Sequence, residues 1–415
     1  MLLLTNVCSI LYTGFMRENK IAKLIILLLI ISFLWGCSNK KEEENPSLTK
    51  ITVKINSFEY AERKNNSILD ALDITDGEFI NAEDKINTLV LGEHTVNVKY
   101  KNSNGKTQKY KYVYTVKDTT KPMILHRSVF NVNVGSNPDI LSQIICGDNY
   151  DSNLVCEIEG EYDFNKIGEY KVYFTAKDSS GNLTKSPFKI VVKEKQESNS
   201  SNNTPVKGKD IADFIKKYKS DNNEIGIDVS TWQGDVDYEK VKNAGIDFVF
   251  IRLGFASKDG KITLDNKFKQ NLKNAKEAGL KVGVYFYSKA STIMMAKEQA
   301  KYVIDALDGE ELSLPIAFDW ECWNDFNSFH ISYTDLNLIA EEFIKTVQEA
   351  GYIGMNYGSA SYLEKVWFID EYPVWMAHYT TKTDFKKEYY IWQASNVGVV
   401  PGIDGFVDLD VSYIK

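Results

Sequence analysis

Histidine and cysteine are scarce in this chain of 415 residues, with four and five copies. No group of them has the spacing of a metal-ligand set, so the sequence calls for neither a metal nor a cofactor. An excess of positive charge is also missing: 49 Lys and Arg face 57 Asp and Glu, a net charge of −8. That balance argues against a general nucleic-acid binder. Long apolar runs are absent apart from residues 24–35, which are too short to cross a bilayer comfortably. Aromatic residues, by contrast, are plentiful, with 24 Tyr, 21 Phe and 7 Trp. Tyr and Trp suit strands and also line sugar sites, so composition leaves both uses open. The length allows roughly two to four domains.

The single apolar run has the layout of a targeting segment. Arg17, Lys20 and Lys23 precede it, and Leu34-Trp35-Gly36-Cys37 follows. This ending resembles a bacterial lipobox, which implies lipidation of Cys37 and its exposure as the mature first residue. The rival reading is an uncleaved signal anchor. Both place the remaining chain outside the cytoplasmic membrane, facing the cell wall, and Met16 is the expected start. Residues 38–48, with Glu42, Glu43 and Glu44, read as a polar tether. Cys8 falls in the leader. Cys146 and Cys156 lie close together in an exported region, and two readings stand for them: a disulfide, or two free buried thiols. Cys322 is expected in packing.

An internal repeat occupies the next part of the chain. Gly92-Glu93-His94-Thr95-Val96-Asn97-Val98 matches Gly168-Glu169-Tyr170-Lys171-Val172-Tyr173-Phe174 at an offset of 76 residues, and Gly105 pairs with Gly181. Each copy alternates like two strands around a glycine turn, which predicts β-sandwich modules at 49–118 and 119–194. Ala176-Lys177-Asp178-Ser179-Ser180-Gly181-Asn182 resembles the last hairpin of bacterial immunoglobulin-like modules. Such modules act as spacers or as ligand binders. Residues 195–223 read as a linker containing a short helix at 211–218.

From residue 224 the pattern becomes strand, helix, strand, helix. Strands are expected at 225–229, 248–253, 281–287, 316–321, 352–357, 373–378, 389–393 and 406–411. Helices are expected at 238–244, 266–278, 294–307 and 334–350, with Gly245, Gly279 and Gly351 just past three of them. This alternation predicts a parallel (β/α) barrel over 224–415, irregular after its fifth strand because the late connections are short.

In such barrels chemistry sits at the carboxyl ends of the strands. Those ends carry Asp228, Tyr285 and Tyr287, Asp319-Trp320-Glu321, Tyr357, Trp375 and Tyr379, Gln393, and Asp408 with Asp410. Strand alternation places Asp319 and Glu321 on one side and Trp320 on the other. Carboxylates beside aromatic faces suit acid-catalysed cleavage of a glycosidic bond. Alone, each residue has a plainer use: Asp228 as a turn cap, the aromatics as packing, Arg252 in an internal ion pair, Asp410 as a strand cap.

Gly226-Ile227-Asp228-Val229-Ser230 with Trp232-Gln233-Gly234, the Asp319-x-Glu321 pair, Trp375-x-Ala377-x-Tyr379, Trp392-Gln393 and Gly405-Phe406-Val407-Asp408-Leu409 resemble glycoside hydrolase family 25, the Chalaropsis-type lysozymes. The resemblance covers 224–415. It implies a TIM-like barrel of five β/α units plus three strands, and a muramidase cutting the β-1,4 bond between N-acetylmuramic acid and N-acetylglucosamine of peptidoglycan. It also implies Glu321 as general acid, its pKa raised by neighbouring carboxylates, with Asp319 as second carboxylate and Asp228 and Asp408 completing the cleft. Tyr287, Tyr357, Trp375 and Gln393 become the expected sugar contacts. The competing reading is a surface lipoprotein that binds peptidoglycan, or acts as an adhesin, without cutting.

Overall fold

The computed structural model describes residues 47–195 and 207–413. The leader with Cys37, most of the tether and residues 196–206 lie outside the described residues. Two compact units divide the chain. The first comprises the described residues up to Asn56 together with Lys64–Ile86 and Glu93–Tyr114; the second comprises Ser57–Arg63, Asn87–Gly92 and everything from Thr115 onward.

In the first unit, Lys50–Val53 pairs antiparallel with Leu72–Thr75, and Gly77–Phe79 pairs antiparallel with the end of Gly92–Asn102. In the second unit, the strand Gly168–Lys177 forms a hairpin with Leu183–Lys193, flanked by Cys156–Glu159 and, in parallel, by Val129–Asn133. Val172, Phe174 and Ala176 alternate inward along that hairpin, and the Phe174 and Phe188 rings stack at 3.7 Å. The structure joins Cys146 and Cys156 in a disulfide, with Cα atoms 6.1 Å apart.

The repeat extends to the turn chemistry. The hairpin strands start at Gly92 and Thr107 in one copy, and at Gly168 and Leu183 in the other. In the first turn the Gly105 N–H donates to the Asn102 carbonyl, and the Asn102 N–H donates to Lys106. In the second, Gly181 donates to Asp178 and Asp178 to Asn182. Both glycines have positive φ, +74° and +94°, which a Cβ would strain.

Eight strands of the second unit form a closed ring: β1 (Glu224–Val229), β2 (Phe248–Ala256), β3 (Lys281–Tyr287), β4 (Ile316–Asp319), β5 (Gly354–Ser359), β6 (Val374–Ala377), β7 (Ile391–Val399) and β8 (Val407–Ser412). Strands β1 to β7 pair in parallel with their neighbours. Helices α1 (Tyr238–Asn243), α2 (Phe268–Glu277), α3 (Ile293–Leu307), α4 (Tyr333–Glu349) and α5 (Ala360–Lys365) connect β1 through β6. A fully parallel ring is not what forms: β8 runs antiparallel to both β7 and β1. Residues 400–406 are too few for a crossover, so the chain turns straight back.

The strands are buried on both faces, as parallel strands under helices must be. Part of the expected linker also joins this packing. Lys209–Asp210 pairs with β7, and Asp210 caps the helix Ile211–Tyr218, whose Ile211 and Phe214 are buried.

Candidate active site

The ladder registers explain how distant residues meet. Strands β1 and β8 pair so that Asp228 stands opposite Asp408, and Gly226 opposite Asp410. Directly opposite residues of an antiparallel pair share a face, so the three carboxyls point the same way. Across the parallel strands, Tyr287 aligns with Asp319, Asp319 with Tyr357, and Tyr357 with Trp375. Strand β4 ends at Asp319, two residues earlier than expected. The alternation nevertheless continues: Trp320 is fully buried against Trp323 and Phe326 and donates its Nε1–H to the Ala290 carbonyl, while Glu321 is exposed.

Asp228, Asp319, Glu321 and Asp408 thereby line one cleft of about 220 Å³, together with Arg252, Tyr285, Tyr287, Tyr357, Trp375, Tyr379 and Gln393. A larger groove of about 550 Å³ adjoins it through Arg252 and Tyr287 and is walled by Trp232, Phe255 and Lys289. Trp232 is 82% exposed, an uncovered aromatic face at the groove.

Gln393 organises the cleft floor. Its Nε2–H donates to Asp228 Oδ2 at 2.7 Å, and its Oε1 accepts from the hydroxyls of Tyr357 at 2.9 Å and Tyr379 at 3.0 Å. Beneath it, Trp375 Nε1–H donates to Asp410 Oδ1 at 2.9 Å. Arg252 is held by Asp265, with Nε–H···Oδ2 at 2.8 Å, and Asp265 also accepts from the Thr231 N–H. Asp319 Oδ1 is buried without a hydrogen-bond partner.

Desolvation within the cleft raises the pKa of all five carboxyls, that of Glu321 at its open edge included. Asp319 is pushed well above the aspartate range, first by desolvation and then by Glu321, with Arg252 pulling it back. Asp228 is pushed up by desolvation, then by Asp408 and Asp410, against the Gln393 hydrogen bond. Asp410 rises by desolvation and by Asp408. Asp408 reaches about 6, through desolvation and Glu321. Glu321 is raised by desolvation and lowered by a hydrogen bond with Tyr357. Desolvation therefore lifts Glu321, in place of the expected push from neighbouring carboxylates; the repulsion registers on Asp319 and Asp408 instead.

The structure brings Asp228, Asp319, Glu321, Asp408, Tyr287, Tyr357, Trp375 and Gln393 to one cleft. Within it, the amide of Gln393 is taken up by protein groups, and Trp375 is packed against Phe250, Tyr285 and Tyr357. Asp410 is no strand cap: it lies fully buried within β8. Arg252 forms the internal ion pair expected of it, but its partner Asp265 carried no signal, being a lone loop carboxylate outside any periodic segment.

Residues 227–403 match the family described as "Glycosyl hydrolases family 25". The chain is 29% identical to the "Autolytic lysozyme" of Clostridium acetobutylicum over 187 residues, which are 45% of this chain and 54% of that protein. It is 28% identical to "Lysozyme M1" of Streptomyces globisporus over 203 residues, 44% of this chain and 65% of that one. The chain thus spans about half to two thirds of the length of these relatives. Among solved structures, a family 25 glycosyl hydrolase from Bacillus anthracis aligns with a TM-score of 0.41 at 20% identity, covering 48% of this chain and 93% of that one. Over residues 227–403 the carboxyl-terminal barrel is similar to the glycosyl hydrolases of family 25.

Proposed function

We propose that this protein is a peptidoglycan hydrolase, an N-acetylmuramidase of the lysozyme type (1,4-β-N-acetylmuramidase) cleaving the β-1,4 bond between N-acetylmuramic acid and N-acetylglucosamine. The observation that carries the reading is one cleft holding Asp319 and Glu321 beside Asp228 and Asp408, walled by aromatic rings. The names of the similar proteins, an autolytic lysozyme and a lysozyme, support the same substrate class.

Glu321 is the proton donor to the leaving glycosidic oxygen. It stands at the mouth, where a glycan strand laid over it strips away its water and raises its pKa further. Arg252 offsets part of the desolvation and of the repulsion from Glu321 that raise the Asp319 carboxyl. The Asp319 carboxylate accepts the N–H of the substrate's N-acetyl group and aims its carbonyl at the anomeric carbon; activation of an incoming water is the alternative task for the same carboxylate. Asp228, fixed by Gln393, and Asp408 hold sugar hydroxyls. The exposed Trp232 and the half-buried Tyr287 offer stacking faces along the adjoining groove.

In this reading the barrel is TIM-like, and the two β modules are immunoglobulin-like spacers. Cys37 anchors the chain to membrane lipid so that the barrel reaches the wall from outside the cytoplasmic membrane. The test is product chemistry from purified walls. The parent is expected to release fragments whose new reducing end is N-acetylmuramic acid, and Glu321→Gln to lose at least about a hundredfold of that release, the scale of removing a general acid. Reducing ends of N-acetylglucosamine would overturn the bond assignment. Equal release by parent and variant would overturn the enzyme.

A further inference from the structure

We infer that the second unit carries a calcium site, built by Asp118, Asp148 and Asp178 with the side-chain oxygen of Asn149. The three carboxylates come from different strand ends. Asp118 follows Thr107–Lys117, Asp148 follows Ile145–Gly147, and Asp178 follows Gly168–Lys177. One oxygen from each lies within 4.8 Å of the others, and all three side chains are buried. Oxygens no farther apart than this surround a point that one ion can occupy, with small adjustments bringing calcium–oxygen distances to ~2.3–2.6 Å.

Both Asp178 oxygens accept from Asn182, at 2.7 and 2.8 Å, and keep a further lone pair each; on the other two aspartates the hydrogen bonds leave an oxygen over. Asp148 Oδ1 accepts from the N–H groups of Tyr150 and Asp151 at 2.8 and 2.9 Å, and Asp118 Oδ1 accepts from Thr120. Asp148 Oδ2 and Asp118 Oδ2 are buried with no donor. Among the described residues no Lys, Arg or His forms an ion pair with any of the three. Three buried carboxylates with no counter-charge are strongly unfavourable.

Asn149 is the independent sign. Its side chain hydrogen-bonds Asp118, so it is aimed at the cluster. Yet its Oδ1 is buried, with the residue 7% exposed, and meets no donor. The donor to Asp118 is Asn149 Nδ2, and the unmet Oδ1 belongs to the same amide, so a cation beside the carboxylates would give this oxygen a partner, since calcium binds neutral and charged oxygens alike. Oxygen-only donors exclude a zinc-type site, and a cage of protein oxygens suits calcium better than magnesium, which keeps its waters. Scarcity of His and Cys gave no hint of this, because the three aspartates are far apart in sequence.

The site would act as a fastener. The Asp148 carbonyl accepts from the N–H of Tyr333, the first residue of α4, and the Cys146 N–H donates to Asn327 Oδ1. An ion here would therefore stiffen both the strand end at Lys117 and the loop on which the start of α4 rests.

The experiment uses the full chain stripped of metal with EGTA, titrated calorimetrically with calcium chloride. One ion per chain is expected, with a Kd of ~10⁻⁴ M to ~10⁻³ M or tighter. Lys117 and Lys121 are exposed beside Asp118, so a lysine-specific protease that needs no calcium reports on the same site. Calcium should slow those two cuts at least about fivefold. Asp148→Asn and Asp118→Asn should each weaken binding at least about tenfold and abolish the protection, with barrel tryptophan fluorescence confirming the fold. If a variant does not fold, the parent isotherm decides. No saturable uptake by the folded parent, unchanged binding in both folded variants, or equal protection by magnesium would each overturn the proposal.

Discussion

Asp408 carries the cleft's electrostatic strain in a form that can be titrated. Its folded-state pKa, about 6, lies above the ordinary 3.8, through desolvation and the nearby Glu321. A carboxyl raised in the folded state adds stability that is complete below the unfolded value and is lost as pH rises through the folded one. The window is therefore about pH 4 to 6, and a shift of about 2 units at about 1.4 kcal/mol each sets a ceiling of about 3 kcal/mol. Asp408→Asn should thus stabilise the barrel at pH 7 by on the order of 1–3 kcal/mol, with no gain at pH 4, while reducing wall hydrolysis. Urea unfolding at the two pH values measures this, and equal midpoints at pH 7 for variant and parent would refute it. The acidic positions themselves were legible, because Asp228, Asp319, Glu321 and Asp408 fall at strand ends in a recognisable order. The source of each shift was not. Desolvation depends on what covers a carboxyl, and the burial of Asp410 under Trp375 follows from a ladder register that only the folded chain displays.

At the scale of elements, the join between β1 and β8 decides whether the cleft exists. Gly226 sits opposite Asp410 in that join, and a Cβ there would meet the Phe248 ring at 2.2 Å. Phe248 is fully buried, so the ring has no free space to move into. Gly226→Ala should therefore destabilise the barrel by about 1–3 kcal/mol, the usual cost of overpacking a core. Urea unfolding followed by tryptophan emission tests it, and a loss below about 0.5 kcal/mol, the scatter of neutral surface changes, would contradict the packing argument. Most elements were visible in the periodicity: β3 matches its expected bounds, and α1 to α4 fall within two residues of theirs. Strand direction was harder. Apolar runs show that β8 is buried but not which way it runs, and the direction follows from the short connection at 400–406. The arm Ile262–Leu264 and the helix Ala360–Lys365 escaped notice because each is too short for a period to register.

For the molecule as a whole, the second β module is more than a spacer on a flexible string. Ile145 belongs to the barrel's apolar cluster, and Gly147 lies against Tyr333 and Phe326, leaving no room for a Cβ. Outside that module, Arg63 of the segment Ser57–Arg63, which belongs to the same unit, also reaches Glu341 of α4 and, at 2.8 Å, Glu371. The alternation that revealed the modules in sequence reported their inward faces; it was silent about outward residues such as Gly147, whose importance lies in what docks there. Phe326 and Tyr333 are buried in the full chain, and removing the module would uncover them. Burying a large apolar side chain is worth roughly 1.5–3 kcal/mol, so a chain beginning at residue 207 should lose at least about 2 kcal/mol of barrel stability against the full chain. Six of the seven tryptophans lie in the barrel, so indole emission follows that domain in both proteins. A blue-shifted, equally stable fragment would show that the module only touches the barrel. An earlier unfolding midpoint, reproduced by Gly147→Ala in the full chain, would show that the module holds in place the segment following Glu321, and with it the mouth of the cleft.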